Sequence, residues 1–133
     1  MEYAVLSRAA AVELTVGEAM LSRPKTLPAD ATVGDLRRAF SVDTMRMALL
    51  VDGDAFAAAV ERGSLPATAA DDEPALAYAR ADVPRVEPGL PMREAMGHLE
   101  ESDVGRLVVV DGDGVTLRGL LCLKRAADSF CVG

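Results

Sequence analysis

Two stretches of this chain are near copies of each other. Leu49-Leu50-Val51-Asp52-Gly53-Asp54 returns 59 residues later as Val108-Val109-Val110-Asp111-Gly112-Asp113. The same offset sets Leu27 over Val86, Val33 over Met92, Asp35 over Glu94, Leu36 over Ala95, Phe40 over Leu99 and Met45 over Val104. One shift thus aligns an apolar start, a helical stripe and a strand in one order. A repeat of fixed period means two copies of one supersecondary unit, with neighbouring copies covering each other's apolar faces.

Length supports that reading. The chain has 133 residues. A copy of about 60 residues would bury only about 60% of its chain surface, whereas the pair reaches nearly 70%. The copies are therefore expected to share a core or pack tightly. Half of the residues are hydrophobic, which excludes a disordered chain.

Along the chain, residues 1–14 fall outside the repeat and read as a helical extension packed on the core. Residues 15–72 form the first copy and residues 73–133 the second. Thr15-Val16-Gly17-Glu18 and Thr32-Val33-Gly34-Asp35 have capping-box spacing, so each opens a helix. The second of these carries Val33, Leu36 and Phe40 on one face. Met47 to Val51 is an apolar run without alternation, as in a buried strand. Asp52-Gly53-Asp54 reads as a hairpin turn, with Ala55 to Val60 returning. Residues 63–73 read as an irregular connection. Pro74 is placed at the first position of a short helix. Val86 starts a strand, and Pro91 to Leu99 is a helix with Met92, Ala95, Met96 and Leu99 on one face. Leu107 to Val110 and Gly119 to Cys122 are strands around an Asp111-Gly112-Asp113-Gly114 turn. Lys124 to Phe130 reads as a final helix.

These segments resemble the cystathionine-β-synthase (CBS) domain, which occurs in tandem pairs called Bateman modules. The resemblance is carried by residues 19–33, by Val104-Gly105-Arg106-Leu107-Val108-Val109-Val110-Asp111, and by Gly119-Leu120-Leu121. It covers about residues 15–130. It implies an α/β fold (α+β by some schemes): two β-α-β-β-α units packed as a pseudo-twofold pair. It further implies a homodimer and clefts between the units that bind AMP, ADP, ATP or S-adenosylmethionine. No cofactor is required.

The resemblance also identifies the residues that such a cleft would use. The family's closing segment is Gly, two aliphatics, Thr or Ser, two variable residues and Asp. The hydroxyl reaches phosphate and the carboxylate accepts from the ribose hydroxyls. The second copy reads Gly119-Leu120-Leu121-Cys122-Leu123-Lys124-Arg125. Cys122 is a weak donor in place of the hydroxyl, and Arg125 is a cation in place of the acid. Each lost charge-assisted bond costs about 1.5–3 kcal/mol, roughly ten- to a hundredfold in affinity. Lys124 and Arg125 are cations that could meet phosphates instead. Adenine would lie among Val104, Leu107 and Leu120. The candidate cleft residues are thus Val104, Arg106, Leu107, Gly119, Leu120, Leu121, Cys122, Lys124 and Arg125. In the first copy, Ala57 stands for the glycine, Val60 for the hydroxyl residue and Gly63 for the acid, leaving no polar ligand.

Other features carry no chemistry. Net charge is −7 and the pI about 4.6, which disfavours nucleic acid or an anionic membrane as partner. His98, the single histidine, reads as a surface residue without metal-ligand neighbours. Cys122 is expected buried and inert, and Cys131 exposed and oxidisable. The two Asp-Gly turns lack the glutamate that closes a calcium loop. Met20, Met45, Met47, Met92 and Met96 are gap-filling core residues. No nucleophile is paired with a base, so no enzyme is expected. No signal peptide or membrane span is visible, and a cytoplasmic location is the expectation. The sequence therefore points to a regulatory or adaptor module acting through protein contacts, with adenosine-nucleotide sensing as the alternative.

Overall fold

The repeat is most visible in the two hairpins. In the computed structural model, which describes residues 5–42, 45–101, 106–124 and 129–131, β3 (Met47–Asp52) pairs antiparallel with β4 (Ala55–Glu61). Fifty-nine residues on, β6 (Arg106–Val110) pairs with β7 (Leu117–Lys124). Each hairpin has a register shift at the same repeat position, between Leu50 and Val51 and between Val109 and Val110. Gly53 turns the first hairpin with φ of 61°, a backbone region that glycine enters at little cost.

Each copy adds a parallel strand and a helix. β2 (Thr26–Pro28) lies parallel to β3, and β5 (Arg85–Val86) parallel to β6. The crossovers are α3 (Val33–Phe40) and α4 (Met92–Glu101). Both capping carboxylates act as the spacing predicts. Asp35 accepts from the Thr32 N–H at 3.0 Å and returns its own N–H to the Thr32 hydroxyl at 3.3 Å. Glu18 accepts from the Thr15 N–H at 3.0 Å and opens α2 (Val16–Ala19). The result is mixed α/β, as expected.

The chain divides into two compact units that do not follow the repeat boundaries. The first unit is Lys25–Val83. The second is Met1–Pro24 together with Pro84–Gly133. The segment leading into each copy packs on the body of the other. Thr15 bridges Pro91 while Thr32 bridges Pro74, the same two positions with their copies exchanged. The Val16 N–H donates to the Leu90 carbonyl at 2.8 Å, and the Ala75 N–H donates to the Ala31 carbonyl at 2.8 Å. Leu21 and Leu120 exchange two backbone bonds, as do Arg80 and Ala59.

The first unit's sheet runs β2-β3-β4. Its core contains Leu36, Phe40, Ala48, Leu50, Val60 and Ala75. The second unit's sheet runs β1-β8-β7-β6-β5, where β1 is Val5–Ser7 and β8 is Ser129–Cys131. Its core joins Ala11, Val16 and Ala19 to Met92, Ala95, Leu99, Leu107, Val109, Leu121 and Leu123.

Three local expectations are corrected. Residues 5–7 are not helical. They form β1 (Val5–Ser7), followed by a single turn, α1 (Arg8–Ala11). The final helix does not span Lys124 to Phe130. Lys124 closes β7, and Ser129–Cys131 is β8, paired with both β1 and β7. Pairing distant in sequence overrides the helical propensity of this short run. Pro74 precedes rather than begins its helical turn: its ψ is 137°, and the 3-10 turn is Ala75–Tyr78.

The irregular connection 63–73 is ordered by Arg37. Its guanidinium donates to the carbonyls of Ala67 at 3.1 Å and Ala69 at 2.6 Å, and also binds the Asp71 carboxylate. Glu73 adds to this by accepting from the Ala70 N–H and the Tyr78 hydroxyl, each at 2.8 Å. That bond raises the Tyr78 pKa above its ordinary value.

Candidate functional site

Strand alternation sorts the expected cleft residues. Successive side chains of a strand point to opposite faces. Leu107 and Leu121 are both fully buried in the cluster with α2 and α4. They are core residues, and a ligand would have to enter that core to touch them. Arg106, Leu120 and Cys122 alternate to the other face, where Arg106 lies directly across the ladder from Cys122. Cys122 is buried. Lys124 is the last residue of β7. Val104 and Arg125 lie outside the described residues.

Gly119 has a packing role. A Cβ built there would lie 2.6 Å from both the Leu21 carbonyl oxygen and the Met20 sulfur. The leading segment crosses the closing strand at this point, and only glycine leaves room for it.

The first copy's equivalences shift by one residue. Val51 to Phe56 spans the first hairpin turn, whereas Val110 to Leu117 spans the second. The second turn is thus two residues longer, and the offset grows from 59 to 61 after it. Met47 pairs with Glu61 as Arg106 pairs with Cys122. Ala58 therefore stands for Gly119, Glu61 for Cys122 and Ser64 for Arg125. The expected Ala57, Val60 and Gly63 are each one residue early. A one-residue slip moves a side chain to the opposite face: Val60 is fully buried in the core, while Glu61 faces the other side. The two-residue difference between Asp52-Gly53-Asp54-Ala55 and the longer turn from Asp111 was the sequence signal for this.

Glu61, not Val60, occupies the position equivalent to Cys122. One of its carboxylate oxygens is buried and accepts no hydrogen bond among the described residues. It lies 3.8 Å from an Arg80 guanidinium nitrogen. The position that carries a phosphate-binding hydroxyl in the family thus holds an anion in this copy.

The second unit also has an open groove of about 630 Å³ at the opposite end of its strands. Arg85, Glu87, Leu90, His98, Asp111 and Gly112 line it, and none of the expected cleft residues do. Two of its charged groups already have partners. Arg85 donates to the Gly114 carbonyl at 2.7 Å, and Asp111 pairs with Arg118 at 2.7 Å. His98 is exposed, as expected. The Asp113 carboxylate is held below its usual range by Thr116, whose hydroxyl and N–H both donate to it. That carboxylate builds a turn rather than a metal loop. Among the described residues no cluster of three His, Cys, Asp or Glu side chains could hold a metal. No helix among them is long and apolar enough to cross a membrane.

Residues 76–129 match the CBS domain family model. No curated protein matches the sequence. Solved structures with the same fold include CBSX2 of Arabidopsis thaliana in complex with AMP, at 21% identity and a TM-score of 0.74, covering 86% of this chain and 92% of that one. The cytosolic domain of the Mg2+ channel MgtE in complex with ATP aligns at 20% identity and a TM-score of 0.72, over 92% of this chain and 51% of that one. The CBS domain protein TA0289 of Thermoplasma acidophilum aligns at 21% and 0.69, over 86% and 72%. The chain thus has the fold of these CBS-pair structures.

Proposed function

We propose that this CBS pair is a non-enzymatic regulatory or adaptor module that works through protein contacts, its adenosine clefts having lost their polar ligands. Glu61 carries the proposal. A carboxylate where the family places a hydroxyl repels phosphate, and Ala58 and Ser64 supply neither the glycine nor the acid. In the second copy, Cys122 offers only a weak donor and Arg125 reverses the charge that would hold a ribose. Without a paired nucleophile and base at this face, no catalytic step is supported. The acidic chain favours protein over nucleic acid or an anionic membrane as partner, with a homodimer in the cytoplasm as the working assembly.

A thermal-shift panel of AMP, ATP and S-adenosylmethionine tests this reading. A ligand at 100 times its Kd adds about 2.7 kcal/mol of stability, so flat melting curves are expected and a clear rise overturns the proposal. The alternative, a nucleotide sensor, is favoured by the solved relatives holding AMP and ATP. Light scattering tests the assembly separately, and a clean monomer at high concentration removes the homodimer.

A further inference from the structure

The repeat pairs several backbone bonds of one unit with counterparts in the other, Val16 N–H to Leu90 with Ala75 N–H to Ala31 and Met92 N–H to Leu14 with Val33 N–H to Glu73, and four polar anchors break the symmetry. In the first unit, Arg37 and Glu73 hold the connection 63–73, Tyr78 binds Glu73, and Arg62 donates to the carbonyls of Phe40, Val42 and Met45. Their counterparts in the second unit are Met96, Leu14, Ala19 and Leu123. All four are apolar and belong to the second unit's core or pack against it. The leading segment 73–80 is thus pinned to the first unit by directional polar bonds and follows β4 closely in the chain. The equivalent segment 8–21 reaches the second unit from across the 59 residues of Lys25–Val83. It is held there by backbone bonds, by buried Ala11, Val16 and Ala19, and by Val12, Leu14 and Met20 packed on the same core, all without directional polar side-chain bonds to the body of the unit comparable to those of Arg37 and Arg62. Among the described residues its side-chain ion pair is Glu13 with Arg93 at 3.3 Å, both largely exposed, where such pairs contribute little.

We infer that residues 8–21 are a releasable strap on the second unit. The strap opens as a local unit while the first unit stays folded. It bonds Leu120, two residues from Cys122, and crosses Gly119. Whatever engages the closing strand of the second copy must therefore register in the strap, while β1 (Val5–Ser7) before it stays paired with β8. That transmission rests on the regulatory reading above, but release of the strap does not.

Native-state hydrogen exchange on the full chain tests it, because the repeat supplies matched amides. Val16 is compared with Ala75, Leu21 with Arg80, Leu120 with Ala59 and Met92 with Val33, each pair making equivalent bonds. After correction for intrinsic rates, the first member of each pair is expected to exchange about tenfold faster or more, as for a locally opening segment. Equal or reversed protection overturns the strap. Gly119→Ala supplies a second arm, expected to speed exchange at Val16 and Leu21 while leaving Ala75 and Val33 unchanged. Joint loss in both units overturns it. The nucleotide panel reads the regulatory proposal separately, since strap exchange is measured without ligand.

Discussion

Replacing Arg62 by leucine makes the first copy like the second, where Leu123 holds the equivalent position. Arg62 is the terminal anchor of α3. Its Nε donates to the Met45 carbonyl at 2.9 Å, and its Nη2 donates to those of Phe40 and Val42 at 2.7 Å each. Its guanidinium also lies 5.2 Å from the centre of the Phe40 ring. These carbonyls sit at the negative end of the helix, which favours a cation. A hydrogen bond to a charged group is worth about 1.5–3 kcal/mol. The Val42 bond is exposed, and water replaces it cheaply, so the two part-buried bonds dominate. Leucine recovers some apolar burial, which leaves an expected loss of about 2–4 kcal/mol. For a chain of this size that lowers Tm by about 8–16 °C. Urea denaturation gives the free energy, and calorimetry gives the Tm shift. Arg62→Lys should recover only part of the loss, because one compact ammonium cannot span carbonyls reached from two guanidinium nitrogens. A loss below about 0.5 kcal/mol for Arg62→Leu, the range of an ordinary surface change, would refute the anchoring argument.

The remaining predictions are briefer. Gly119→Ala should cost about 1–3 kcal/mol in denaturant melts by overpacking, whereas Gly97→Ala, in open space within α4, should stabilise by about 0.4–1 kcal/mol. Arg37→Ala should free the connection 63–73 and create a protease-sensitive site there, read by mass spectrometry of early fragments. The Thr32 backbone N–H, with Arg38 contributing, holds Asp35 below the ordinary carboxylate range, and Thr116 holds Asp113 low. Depressed carboxylates stabilise fully above the unfolded value and lose that stability as pH falls through the folded one. Melting temperature should therefore drop on acidification below about pH 4, and Asp113→Asn should flatten that drop.

Much of the fold was legible because it rests on local rules. Capping boxes at Thr15 and Thr32, apolar stripes on α3 and α4, and Asp-Gly turns each fix a short segment, and the repeat joins them. The misread elements depend on distant partners. Ser129–Cys131 is a strand because β1 and β7 flank it, and no window of sequence around Phe130 contains that information. Residues 5–7 were misread for the same reason. The order of residues 63–73 comes from an arginine about thirty positions earlier.

The site was harder to read than the fold because a site depends on which face a side chain takes. Two extra residues in the second hairpin turn leave both strands, both bulges and both cores intact, so nothing in the apolar pattern penalises an offset of 62 instead of 61. The same slip exchanges Val60 for Glu61 at the decisive position, a buried core methyl pair for a carboxylate facing Arg80. With Val60 there, the first copy would merely lack a phosphate ligand. With Glu61 there, the copy carries an opposing charge already engaged by Arg80 at 3.8 Å, and binding a phosphate requires breaking that pair as well. On the proposed reading, the nucleotide site is opposed by a charge in the first copy and merely unsupported in the second, where Cys122 is neutral. If either cleft regains a ligand by substitution, Cys122→Thr is the change expected to restore it first.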